Sequence, residues 1–249
     1  MHKVNILGVG IHVIEKENLL AAIDASIGGN RRDVYVYTNI HAINLAQKDR
    51  SLRDFLNAAH VVYCDGEGVR LGARLLGFHL PPRIVLTYFI WELCRDAEAH
   101  GYRLFFLGSQ TEKVNEAVRR IRERFPLIRI VGCHHGFFPK SGEESDRVVE
   151  MIRTARPDIL FVGFGMPLQE KWIAANMHRL EVEVILPCGS MIDYAAGRKS
   201  FAPAWMSDHG LEWLYRLGQE PGRLWKRYLI GNPLFLLRVL WQSWVGEKR

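Results

Sequence analysis

The sequence predicts an α/β fold, a mostly parallel sheet with helices on both faces, followed by a C-terminal helical appendage. Three observations carry this. Short β-branched or aromatic runs alternate with longer amphipathic stretches from Val34 onward, the alternation stops near Ala195, and helical patterns with no strand between them follow. In order, strands are expected at 34–37, 60–64, 103–107, 128–133, 159–163 and 182–186, with an earlier one at 4–9 that a glycine interrupts. Among the helices, 113–125 places Val114, Ala117, Val118 and Ile121 at three- and four-residue spacing, leaves its arginines outward and ends at Pro126. Similar patterns at 18–27, 88–99, 143–154 and 168–177 supply the crossovers of a Rossmann-like domain over residues 1–195.

Residues 196–249 form the expected appendage, with helices at 208–218, 223–230 and 234–245. Asn232-Pro233 suits an N-cap and first turn for the last of them. That helix sets Leu237, Leu240, Trp241 and Trp244 on one stripe, with Arg238, Lys248 and Arg249 off it, a stripe suited to face either the body or a membrane. The appendage stands out in composition too. The chain carries 33 Lys+Arg against 27 Asp+Glu, a net +6. From Trp205 onward there are seven basic and four acidic residues and five of the seven tryptophans, so this segment holds half the excess charge.

Composition also excludes classes. With 48% hydrophobic and 24% charged residues the chain is neither disordered nor collagen-like. Cys64, Cys94, Cys133 and Cys188 lie at least 30 residues apart, which signals neither a zinc knuckle nor a disulfide framework and suits a reducing compartment. The start, Met1-His2-Lys3-Val4-Asn5, lacks the n- and h-regions of a signal peptide, so none is expected. No apolar stretch approaches the roughly 20 residues that span a bilayer, so no transmembrane helix is expected. A net charge of +6 without a recognised binding module does not indicate nucleic acid.

Ligands in parallel α/β sheets bind beyond the carboxyl ends of strands, which makes the polar residues there the first candidates. One strand end reads Thr38-Asn39, another Asp65-Gly66-Glu67-Gly68, a third Gly165-Met166-Pro167-Leu168-Gln169-Glu170. Glycine lets backbone N–H groups approach a ligand, and a helix start just beyond favours an anion such as a diphosphate. Taken singly, each is ordinarily a turn or a helix cap. Asp65-x-Glu67 superficially resembles a Mg²⁺-holding pair, and Cys133-His134-His135 a metal motif, but neither has the supporting ligands. No GxGxxG, Walker A, GxSxG or HExxH is present, which disfavours a nicotinamide-dependent oxidoreductase. In the appendage Arg223 and Arg227 stand four residues apart, where a helix would aim both guanidiniums at one polyanion. The plain alternative is a solvated basic face.

Taken together these residues resemble the WecG/TagA/CpsF glycosyltransferase family over about residues 30–232. The match rests on Thr38-Asn39-x-His41, Asp65-Gly66-x-Gly68, Arg83, Gly163-x-Gly165-x-Pro167-x-Gln169-Glu170-x-Trp172, Ala195-x-Gly197, Ala202-Pro203-x-Trp205, Gly210-Leu211-Glu212-Trp213-Leu214-Tyr215-Arg216-Leu217 and Glu220-Pro221-x-Arg223-x-x-x-Arg227-Tyr228. The resemblance implies an inverting, metal- and cofactor-independent enzyme of bacterial surface or exopolysaccharide synthesis. Such an enzyme transfers a hexose or N-acetylhexosamine-type sugar from a UDP-sugar to a polyprenyl-diphosphate-linked sugar. It implies Asp65 as general base and Thr38 and Asn39 at the reaction centre. Gly66, Arg83, Gly165, Pro167, Gln169, Glu170, Arg216, Arg223 and Arg227 would bind substrate, the last three facing a diphosphate. It also implies an appendage that attaches the enzyme peripherally to the cytoplasmic face of the plasma membrane and closes over the pocket. A homo-oligomer is left open.

Two departures bear on the donor. Phe201 stands before Ala202-Pro203 where the family often has a basic residue, and Leu86-Thr87-Tyr88 follows Arg83 in place of a Gly-x-Asp element. They point to a neutral hexose such as glucose, with N-acetylmannosamine or its uronate as the alternative. A non-catalytic membrane-binding module of a polysaccharide assembly complex is the competing reading, but it leaves the polar strand ends unexplained.

Overall fold

The computed structural model describes residues 2–246. Lys248 and Arg249, expected off the apolar stripe, lie outside the described residues. The chain opens with an antiparallel hairpin, β1 (Lys3–Ile6) and β2 (Val9–His12), then α1 (Lys16–Gly28) and β3 (Asp33–Thr38). Next come α2 (Ile40–Ala46), α3 (Arg50–Ala58), β4 (Val61–Cys64), α4 (Glu67–Leu75) and α5 (Leu86–His100). The middle is regular βα alternation: β5 (Arg103–Gly108), α6 (Thr111–Arg124), β6 (Arg129–His134), α7 (Glu143–Ala155), β7 (Ile159–Gly163), α8 (Leu168–Leu180) and β8 (Val184–Pro187). Short α9 (Met191–Ala195) and α10 (Ala204–Asp208) lead to α11 (Glu212–Gln219), α12 (Pro221–Trp225), a π-helical turn (Lys226–Ile230) and α13 (Gly231–Val245).

The expected α/β class is observed: six parallel strands in the order β4-β3-β8-β7-β5-β6, flanked by helices. β4, β7 and β8 are buried along their whole length, which is why they read as continuous apolar runs rather than alternating ones. The single strand expected at 4–9 is instead a hairpin in its own two-stranded sheet. Leu7 and Gly8 both take positive φ, 52° and 80°, the conformation of a two-residue turn that reverses the chain between strands.

Two compact units emerge. The first comprises residues 1–15, 37–84 and 200–249, the second 16–36 and 85–199. In the second, the core is built on β5, β7 and β8, and α6 buries the predicted Val114, Ala117, Val118 and Ile121. In the first, α13 lays Phe235, Val239 and Gln242 inward. Phe235 reaches α4 where only hydrogen stands on Gly72; a Cβ there would come within 2.7 Å of its ring. The Gln242 side chain accepts from Leu7 N at 2.9 Å and donates to Asn5 O at 3.3 Å, tying the far end of α13 to the hairpin.

The C-terminal helices differ from expectation in two places. The helix expected at 208–218 is divided, because Gly210 turns the chain with φ 72° between α10 and α11. Asn232 does not cap the last helix: α13 begins at Gly231, so Asn232 and Pro233 both lie in its first turn. The helical path runs on from α12 through the π turn, where Gly231 N donates to Lys226 O, five residues back. Pro233 has no N–H to continue an ordinary ladder, and one wider turn absorbs the loss.

Candidate functional site

In the first unit, two strand ends meet. β3 stops at Thr38, and Asp65, just past β4, donates its N–H to Thr38 O at 2.9 Å. Asn39 caps α2, its Oδ1 accepting from Ala42 N at 3.2 Å, and its side chain also hydrogen-bonds the Asp65 carboxylate. Gly66 caps α4 with no side chain to interpose, and a Cβ there would stand 3.4 Å from that of Asn39. Thr38 is fully buried, yet its hydroxyl oxygen has no hydrogen-bond partner among the described residues. Burial raises the Asp65 carboxyl above its ordinary range; Glu212 pushes the same way, and Arg216, Arg83 and the Asn39 hydrogen bond oppose without prevailing.

Arg83 and Arg216, both expected to bind substrate, are held by one acid. Glu212 accepts from Arg83 Nη1 at 2.8 Å on one carboxylate oxygen and pairs with Arg216 Nη2 at 2.6 Å through the other. Arg83 also donates to Ser207 Oγ at 2.8 Å and Ser207 O at 3.2 Å. Sequence reasoning missed Glu212 and Ser207. The i,i+4 spacing of Glu212 and Arg216 was a readable signal; the pairing with Arg83 spans 129 residues and had none.

Arg223 of α12 and Arg227 of the π turn, expected to face a diphosphate, both act on His41 of α2. Burial, then Arg227, then Arg223 lower the His41 pKa to about 4, so the ring is neutral at physiological pH. Arg223 pairs with Glu220, and the Arg227 guanidinium lies 5.3 Å from the Tyr228 ring centroid. Glu67, the other half of the superficial metal pair, is taken up by Arg70 at 2.8 Å to each carboxylate oxygen.

The second unit holds the remaining predicted residues at the carboxyl end of β7. Gly165 turns with φ 83°, and Pro167 caps α8. Gln169 is fully buried; its Oε1 accepts from Gly165 N at 3.1 Å and Gly189 N at 3.0 Å, and its Nε2 donates to Glu170 Oε1 at 2.8 Å. Burial lifts the Glu170 pKa to about 7, and its second oxygen has no hydrogen-bond partner among the described residues.

On α13 the predicted stripe faces solvent. Leu237 is 65% exposed, Trp241 64% and Trp244 80%, and Leu229 and Ile230 extend the patch. Among the described residues no helix is long and apolar enough to cross a membrane.

A parallel α/β sheet with a carboxylate at one strand end and arginines acting on it suits a group-transfer enzyme that handles an anionic leaving group. The comparison with known proteins makes this specific: the chain matches the model of the glycosyl transferase WecG/TagA/CpsF family over residues 4–249 and belongs to that family. It is 33% identical over 195 residues to the N-acetylglucosaminyldiphosphoundecaprenol N-acetyl-β-D-mannosaminyltransferase of Bacillus subtilis (strain 168), covering 78% of this chain and 74% of that protein. It is 28% identical over 241 residues to the protein of the same name from Staphylococcus aureus (strain MW2), covering 95% and 92%. The protein is a glycosyltransferase. The expectation of a glucose donor gains no support, since both relatives are named for an N-acetylmannosaminyl group.

Proposed function

We propose that this enzyme transfers an N-acetylmannosamine-type sugar, with inversion, from a UDP-sugar to a polyprenyl-diphosphate-linked sugar. The observation that carries the reading is Asp65, a carboxylate at a strand end whose proton affinity is raised by burial while Asn39 fixes its direction. Inverting transfer needs one base to take the acceptor hydroxyl proton as that oxygen attacks the anomeric carbon opposite the departing UDP. A raised pKa makes the Asp65 carboxylate a stronger base than that of an exposed aspartate. The unpartnered Thr38 hydroxyl, one hydrogen-bonded link away, is suited to orient a sugar hydroxyl.

As the glycosidic bond breaks, negative charge builds on a diphosphate. Arg83 and Arg216, preset by Glu212, and Arg223 and Arg227 supply fixed positive charge in that unit without reorganising in the transition state. In the second unit, Gln169 and Glu170 shape the glycine loop after β7, where Gly165 and Pro167 would take a sugar nucleotide. The names of the two relatives support the donor and acceptor classes. The outward tryptophans and leucines of α13 suit peripheral attachment at the cytoplasmic membrane face, where a polyprenyl-linked acceptor resides.

The test is a panel of UDP-sugars offered with a synthetic N-acetylglucosaminyl-diphospho-lipid and read by product mass. A product heavier by one N-acetylhexosamine, only with UDP-N-acetylmannosamine, is expected. A hexose product from UDP-glucose would overturn the donor assignment.

A further inference from the structure

His41 is an imidazole set against two arginines, and the fold holds it there. Three residues along the same face of α2, Asn44 donates from Nδ2 to Gly231 O at 2.7 Å and accepts from Arg238 Nη1 at 3.1 Å. That fastens α2 to the end of the π turn that carries Arg227, with Arg223 on the helix just before. Among the described residues no hydrogen bond or ion pair joins Arg227 to a carboxylate. No acid acts on the His41 ring either; Arg227 and Arg223 are the charged groups that do. Of the other charges on elements packed against α2, Arg238 is engaged by Asn44, and on α3 Arg50 pairs with Asp54 at 3.6 Å while Arg53 does not act on the ring. Arg227 without a carboxylate partner among the described residues, Arg223 with only Glu220, and a half-buried neutral ring form a site suited to an anion.

We propose that His41 is a third ligand of the diphosphate, joining Arg223 and Arg227, and that its ring takes one proton from solvent as the diphosphate binds. The inference rests on the reading of Arg223 and Arg227 as diphosphate ligands. In the free enzyme a charged His41 would face two like charges in a desolvated position, so the ring stays neutral. An arriving diphosphate cancels the arginine charge and supplies an acceptor, which turns protonation from unfavourable to favourable. The neutral ring spares the empty site a third cation and provides one only when the ligand is present.

The experiment is isothermal titration calorimetry at neutral pH in two buffers of different ionisation enthalpy, with UDP in one arm and farnesyl diphosphate, a soluble lipid diphosphate, in the other. Wild type is expected to take up more protons per bound diphosphate than H41Q, and H41Q to bind about tenfold more weakly. H41R is expected to bind at least as tightly as wild type without the extra uptake, a rescue that a purely structural histidine would not show. The arm in which the difference is seen identifies whether the nucleotide or the lipid diphosphate occupies the site. Equal affinity and equal proton uptake in wild type and H41Q, with R227A weakened, would overturn the inference and leave the arginine reading standing. Undiminished binding of both probes by R223A and R227A would overturn the arginine reading, and this inference with it.

Discussion

The two units treat polar groups at their strand ends in opposite ways. In the second unit they are largely consumed by the protein: Ser109 Oγ donates to Asp193 at 2.5 Å, Arg103 grips Asp158 at 2.6 Å, and the amide oxygen of Gln169 accepts from two glycine N–H groups. Among the described residues Glu170 and Glu183 each keep one buried oxygen without a hydrogen-bond partner there, as does the Thr87 hydroxyl, and burial raises the pKa of both acids. In the first unit the groups are left poised. Thr38 has a buried hydroxyl with no partner, Asp65 is pushed toward its neutral form against two arginines, and His41 is neutral beside two more. A saturated hydrogen-bond network stabilises and positions; an unsatisfied one retains the capacity to act on a ligand. The contrast favours the first unit for the proposed proton transfer.

Apart from Asp65 itself, the largest expected effect on this contrast is at Glu212. Removing the acid between Arg83 and Arg216 takes away the carboxylate that two part-buried guanidiniums share, so Glu212→Ala should lower stability to denaturant by about 3 kcal/mol. It should also lower kcat/KM by about a hundredfold through loss of preset charge. Unchanged kinetics would show that the arginines are not poised by Glu212.

Next is the pH dependence set by Glu170. Its folded-state pKa of about 7 exceeds the unfolded value of 4.5, so its neutral form contributes stability that is fully present below pH 4.5 and lost as pH rises through about 7. The loss amounts to about 3 kcal/mol at most, and it acts on folding rather than on the chemical step. In denaturation curves at a series of pH values, Glu170→Gln should flatten that slope. A slope unchanged by the substitution would show that the second unit does not bury a protonated acid.

The smallest expected effect is at the outer face of α13. Replacing both Trp241 and Trp244 by serine should weaken partition to anionic vesicles by about tenfold in a co-sedimentation assay. Turnover on a soluble short-chain acceptor should stay unchanged. Equal partition would remove the membrane from the function of this face.

What was legible in the sequence follows the same division. The second unit's βα alternation could be read because its strands are buried on both faces and its helices amphipathic, so hydrophobic period alone marks them. The first unit resisted in three places. Leu7 occupies a left-handed position that leucine does not advertise, hiding the hairpin turn. The helices α2, α3 and α4 are short enough that their apolar faces do not establish a period. The π turn before α13 lay under what looked like an N-cap at Asn232-Pro233. At the site, Thr38, Asn39, Asp65 and Arg83 were readable as strand-end residues or through family likeness. The Glu212 bridge and the His41 setting were not, because their partners lie far away in sequence and only folding brings them together.

The central claim is that Asp65 is the base for transfer. Asp65→Asn keeps the shape of the side chain and removes its proton affinity, so the direct measurement is turnover on UDP-N-acetylmannosamine and a lipid-diphosphate acceptor beside UDP binding by the same variant. Turnover about a thousandfold below wild type with UDP affinity within a few-fold is the predicted result. Near wild-type turnover in Asp65→Asn would contradict the account.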